Sequence, residues 1–344
     1  MGGEDGGQNQ GACMAEYIDS GSLSETYLQI SPNILASFPK FRPPVDLYVF
    51  NPDVGRTGRY IRGGERLSRG GQAEVARFAE EGLLYLLRED YRVYAEHLSK
   101  NLGLLLVEEG FLPVEVAEIF FIALRNRMGE FLNQPREDTF EALRTDVFVL
   151  AEYVWIDPGR MAFLTHTLER DYDLAVHSVN SMLIGLALYL RLTGGKVEKT
   201  VLISLILGLL LHDLGMVMVP KFIRDKEQFL IRRDRESIER HIDAGLNMVR
   251  RLKIQDPIIL ECLEQHHERL DGSGYPARRF GRDISTSGRL CAVADSFSAI
   301  IGDRPHRSAK DMAEAVRMLI GDGKRYDSAL TTLLAKVMAE RVTG

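Results

Sequence analysis

The sequence predicts a mainly α chain with a small α+β domain at its N-terminal end, on three observations. From Pro113 onward apolar residues recur at helical spacing almost continuously, punctuated by proline and glycine clusters. Ahead of that run, Val45-Asp46-Leu47-Tyr48-Val49 alternates as a half-buried strand does. The 344 residues, 45% apolar and 27% charged, are enough for two cores and too apolar for a disordered chain.

Taken in order, residues 1–24 are Gly-rich and polar and are expected to form a disordered tail. Residues 25–110 read as the small α+β domain, with a regulatory or interaction role. Its strands fall at 45–49, 60–62 and 83–87, and its helices at 72–81 and 90–106. Residues 111–160 carry two amphipathic segments, 114–132 and 138–155, and read as a helical linker. It either packs on its neighbours or makes a dimer contact. An all-helical domain is expected over 161–344, with helices near 161–193, 197–213, 235–252, 257–268, 285–301, 309–320 and 327–340.

The net charge of −6 gives no sign of a surface built to coat a nucleic-acid polymer, so an anionic ligand needs a local basic cluster or metal ions. The three cysteines, Cys13, Cys262 and Cys291, have no metal-ligand spacing and do not suggest a disulfide framework. That fits a cytoplasmic location, as does an N-terminus without the charged and apolar regions of a signal peptide. The longest apolar run, 201–211, is too short to span a bilayer and reads as a buried helix.

Chemistry concentrates in a few positions. His212-Asp213 ends that buried run, where an uncompensated charge costs several kcal/mol and a metal ion offsets the cost. A carboxylate there can bridge two ions through its two oxygens. His266 and His267 are adjacent and diverge by roughly 100° if helical, so they point at different ions. Asp173 and His177 are one turn apart on one helix face, and His241 and Asp295 lie inside helix-like segments. Imidazole and carboxylate without thiolate suit iron, manganese or similar divalent ions better than structural zinc. His97, His166 and His306 are read as ordinary core or surface residues.

The ordered set His177, His212-Asp213, His241, HHERLDGSGYP at 266–276 and Asp295 resembles the HD-GYP family of the HD phosphohydrolase superfamily. The resemblance runs from about residue 165 to 344 and includes DRPHR at 303–307 and GKRYDSAL at 323–330. Members of that family hydrolyse the bacterial second messenger cyclic di-GMP to pGpG and often on to GMP. They use two or three iron or manganese ions in a helical domain.

The resemblance implies the same phosphodiesterase activity here, through a metal-bridged hydroxide, with His212 and Asp213 at the catalytic centre. It makes His177, His212, Asp213, His241, His266, His267 and Asp295 metal ligands, with Asp213 the bridge. Asp173 stands where trinuclear members carry Glu and is the candidate ligand of a third ion. Arg304, Arg307 and Tyr275 match positions at the substrate.

The chain also departs from the family. HDLGM at 212–216 has Met216 where HDxGK has lysine, Ser298 replaces an aspartate of ADxFDA, and His306 replaces the tyrosine of DRPY. Arg224, Arg232 or Arg233 could replace the missing cation. The departures keep two alternatives open: a metal-containing receptor with little turnover, and a hydrolase for another nucleotide. A protein partner of the N-terminal domain and a homodimer are also compatible with the sequence.

Overall fold

The computed structural model describes residues 26–38, 42–106, 111–171, 173–226, 231–303 and 308–340, so the expected tail lies outside the described residues. The chain divides into two compact units, Met1–Phe111 and Leu112–Gly344.

The first unit is a four-stranded antiparallel sheet in the order β1-β4-β2-β3, with β1 Tyr27–Gln29, β2 Leu47–Asn51, β3 Arg56–Ile61 and β4 Leu84–Leu87. Helices α1 (Pro32–Ser37), α2 (Arg69–Glu80) and α3 (Tyr91–Leu98) complete it. Leu28, Leu47, Leu84 and Leu86 are fully buried, as are Val75 and Ala79 of α2, so the sheet has an apolar face. Asp46 fastens the β2–β3 hairpin, accepting from Gly63 N at 2.7 Å and pairing with Arg59 at 3.3 Å. Ser68 starts α2 by accepting from Gly71 N. Three strands and two helices of this unit are legible in the sequence. Strand β1 is not, because three residues show too little alternation to be read.

Among its described residues, the regular elements of the second unit are helices. Helices α4 (Pro113–Asn133) and α5 (Glu137–Ile156) pair as a hairpin, with Arg127 on Asp146 at 2.8 Å holding the two together. The short α6 (Met161–Leu164) leads to α7 (Leu174–Thr193), which is buried along most of its length and is packed by α4, α8 (Lys199–Leu211), α13 (Thr286–Ile301) and α15 (Ser328–Glu340). Helix α12 (Pro257–Gln265) lies against both α8 and α13. Between them run α9 (Lys221–Arg224), α10 (Arg232–Glu239) and α11 (His241–Arg251), and α14 (Met312–Gly321) precedes α15. The helices at 113–156 thus belong to this compact unit and pack on α7 and α8.

Two expected helices are interrupted for local reasons. The segment expected as one helix over 161–193 breaks at 165–173. There Asp173 accepts from Ala175 N to start α7 afresh, and Asn180 binds the backbone of Glu169 at 2.7 Å. The segment expected over 235–252 divides into α10 and α11 at Arg240. By length and composition α7 and residues 199–218 could cross a membrane, yet most of each is buried inside the protein, as core helices are.

Candidate metal centre

Three histidines sit where a helix has just ended. The last carbonyls of an α-helix have no partner within it, so a side-chain donor at the C-terminus is stabilising. His212 follows α8 and its Nδ1 lies 2.8 Å from Leu209 O; His241 follows α10 and lies 2.6 Å from Ile238 O. His266 follows α12, with Nδ1 3.0 Å from Cys262 O and 3.1 Å from Leu263 O. A carbonyl only accepts, so in each ring Nδ1 carries a hydrogen and Nε2 is the nitrogen left to offer a lone pair once any proton on it has been displaced. All three are buried. The negative ends of α8 and α12 also favour a cation at this point.

His177 comes from the first turn of α7 and Asp295 from the middle of α13, both buried. The seven side chains form two sets that share Asp213: His177, His212, Asp213 and Asp295, and Asp213, His241, His266 and His267. Asp213 turns one oxygen to each. Its Oδ2 lies 3.5 Å from His177 Nε2 and 3.8 Å from His212 Nε2; its Oδ1 lies 3.3 Å from His241 Nε2 and 3.4 Å from His266 Nε2. Asp295 repeats the division, with Oδ1 3.2 Å from His177 Nε2 and Oδ2 3.8 Å from His267 Nδ1. The first set is enclosed, whereas the His267 side chain is 21% exposed and opens the second set to solvent.

These atoms fit metal ions on two grounds. Buried His212 Nε2 and Asp213 Oδ1 have no hydrogen-bond partner, a costly state for polar atoms in a core. In addition, His241 Nε2 and His266 Nε2 stand 3.1 Å apart while both Nδ1 hydrogens face carbonyls. Two neutral rings would confront lone pair with lone pair, so a cation belongs between them.

The electrostatics agree. Burial alone would raise Asp213 and Asp295, but the surrounding imidazoles hold both carboxyls well below their usual range. Burial also lowers His241 and His267, leaving them neutral and ready to ligate. His212 is opposed by burial yet pushed up to about 9 by Asp213 and Asp295.

The loop after the two histidines is built around Glu268, which is 1% exposed and accepts from Ala277 N at 2.7 Å and Arg279 N at 2.9 Å. Gly274 is required there, because a Cβ would meet His267 O and the Glu268 and Arg269 backbone at 2.5 Å. The loop lays Tyr275 on the His267 ring, centroids 4.6 Å apart. Burial and nearby carboxylates push the Tyr275 hydroxyl up, so it stays a hydrogen-bond donor. Arg269 reaches back to the carbonyls of His266 and Glu268 and to Ser296, over the ring of Tyr326. Glu268 and Arg269 lie inside the motif without matching any metal-ligand pattern. A buried-charge reading of HHER would have found them.

Asp173 joins neither set; its carboxylate caps α7. Arg304, His306 and Arg307 lie outside the described residues. Asp303, just before them, donates from N to Arg170 O and accepts from Ala309 N. Met216 is buried with Val219 and Ile223, against Leu174 and Ile238. Arg224, next to Ile223, has a buried Nε with no hydrogen-bond partner.

Comparison with known proteins agrees with this geometry. Residues 170–330 match the family model described as HD domain. A cyclic di-GMP phosphodiesterase of Thermotoga maritima is 35% identical over 134 residues, covering 38% of this chain and 36% of that protein. The 3'3'-cGAMP-specific phosphodiesterase 2 of Vibrio cholerae is 32% identical over 126 residues, covering 36% of this chain and 24% of its own length. The matches thus span about a third or less of these relatives. In structure, Bd1817, an HDG"Y"P protein of Bdellovibrio bacteriovorus, aligns with a TM-score of 0.62 at 19% identity. The alignment covers 91% of this chain and 99% of that one, and so shows a shared fold. Residues 170–330, which carry both candidate sets and the GYP loop laid on His267, thus match the HD domain family and resemble its HD-GYP branch.

Proposed function

We propose that this protein hydrolyses the phosphodiester bonds of cyclic di-GMP, giving pGpG or GMP, at a centre of two iron or manganese ions. The observation that carries the reading is the pair of ligand sets sharing Asp213, with imidazole lone pairs turned inward. His177, His212, Asp213 and Asp295 would hold one ion, and Asp213, His241, His266 and His267 the other. Two ions supply Lewis acidity toward the phosphate and an activated water. The N-cap role of Asp173 supports two ions over three.

The chain's own residues would do the rest. The last helical turns and Nδ1 contacts keep the ligand rings in register, and the partly exposed His267 marks the side on which substrate enters. Tyr275 offers a hydroxyl donor beside that opening, and Arg224 offers a guanidinium without an ion pair among the described residues. Arg304 and Arg307 are assigned to phosphate by their motif. No member of either set comes from the first unit's described residues, which supports a regulatory or interaction role for it.

The test is hydrolysis by protein purified without oxygen and loaded with Mn(II) or Fe(II), following pGpG and GMP. Turnover that disappears in His212→Ala together with bound metal is expected. Absence of turnover at full metal occupancy would overturn the phosphodiesterase reading in favour of a receptor. The apolar packing of Met216, where the family carries a cation, favours that second reading.

A further inference from the structure

His177 is positioned differently from the other histidines that offer Nε2. Those three place Nδ1 against leftover carbonyls at a helix end, contacts made by the backbone that no side-chain substitution removes. His177 lies inside α7, where carbonyls are engaged by the helix itself, so an acceptor for its ring must come from another element. It comes from α13. Ser298 Oγ lies 3.2 Å from His177 Nδ1 and 3.2 Å from His177 O. The hydroxyl hydrogen goes to the carbonyl, so the oxygen lone pair faces Nδ1 and fixes it as N–H. Ser298 is 2% exposed, so water does not readily replace it.

We infer that Ser298 is a positioning residue that sets the metal affinity of the His177, His212, Asp213 and Asp295 set, independently of the other set. The inference rests on the two-ion reading above. One hydroxyl orients one ligand of one set and touches none of His241, His266 or His267. It is also neutral, where an aspartate acceptor would make the ring a stronger base. The enclosed set, with two carboxylates, therefore has its second imidazole oriented by a contact across the α7–α13 packing that one substitution removes.

The experiment titrates the full, metal-free chain with Mn(II) alone. It reads stoichiometry by equilibrium binding and the electronic state by electron paramagnetic resonance. Wild type is expected to take two ions and give the signal of a coupled pair. In Ser298→Ala one binding step should weaken by roughly 10–100-fold while the other holds. At one equivalent the spectrum should be that of an isolated Mn(II). Ser298→Asp, which returns an acceptor, should recover the lost step and the coupled signal.

Ser298→Ala binding both ions as wild type does would overturn the inference. Equal weakening of both steps, at an unchanged melting temperature, would overturn it as well. If wild type itself takes fewer than two ions, the two-ion reading has failed, an outcome the wild-type titration shows by itself.

Discussion

Gly215→Ala should damage this centre although the residue bears no ligand. A Cβ at position 215 would lie 1.8 Å from the carbonyl oxygen of His241 and 2.6 Å from Gly245 N. Contacts below 3.0 Å are essentially never made by Cβ atoms, so the two backbones must part by about 1.2 Å. Both obstacles are main chain, and no rotamer change relieves them. What moves is the first turn of α11, and with it His241, whose Nε2 stands 3.3 Å from Asp213 Oδ1 and 3.1 Å from His266 Nε2. Overpacking of this kind costs about 1–3 kcal/mol, and a misplacement of about 1 Å can cost on the order of 100-fold in rate.

The control is Gly245→Ala across the same contact. Its Cβ would be 3.2 Å from Gly215 N and 3.4 Å from Leu263, which a shift of tenths of an ångström accommodates. Urea unfolding of metal-free protein and Mn(II) titration read the two variants. Gly215→Ala should lose stability at the upper end of that range and bind the second ion weakly; Gly245→Ala should lose under about 1 kcal/mol. A Gly215→Ala protein with wild-type stability and two tightly bound ions would refute the argument.

Three further outcomes follow from the same contacts. Because the folded pKa of His212 is raised to about 9 from 6.5, its protonation stabilises the metal-free protein fully below pH 6.5. That contribution is lost as pH rises through 9. An incoming ion must displace this proton, so Mn(II) affinity should climb by up to about 10-fold per pH unit toward pH 9; a flat profile in calorimetry between pH 7 and 9 would count against it. Glu268→Gln leaves one of two loop N–H groups facing an amide instead of a carboxylate oxygen. It should cost about 1–3 kcal/mol in urea unfolding while two ions still bind. Arg224→Met removes a guanidinium whose Nε is buried and unpartnered, so stability should hold or rise; binding of a non-hydrolysable cyclic dinucleotide should weaken by roughly 10-fold or more.

The two candidate sets are legible because imidazoles and carboxylates inside apolar helices are conspicuous, and the structure brings those seven side chains together. Asp173 shows the limit of that reasoning. One-turn spacing to His177 is equally the spacing of an N-cap to the first turn, and the carboxylate is used on Ala175 N. The break between α10 and α11 was invisible for a related reason. Its hydrophobic period continues through Arg240, and what makes use of the break is the ring of His241 on Ile238 O. The role of Ser298 needed the register of α13 on α7, which no local pattern carries.

Met216 joins these threads. From the sequence it is an absence, a methionine where the family keeps a lysine. In the structure it is a contact: its side chain packs with Val219 and Ile223 against Leu174 and Ile238. Leu174 precedes His177 by three residues, and Ile238 supplies the carbonyl that holds His241. The apolar cluster therefore ties the start of α7 to the end of α10, the two segments that carry or hold one side chain of each candidate set. A lysine at this position would have to carry its ammonium out of that cluster. Met216 thus supplies packing where the motif has a cation, while Arg224, one residue beyond Ile223, keeps a charged group on the same segment. If that guanidinium serves the phosphate, the chain has separated two tasks, supporting the metal ligands and binding the substrate anion, and given each its own residue.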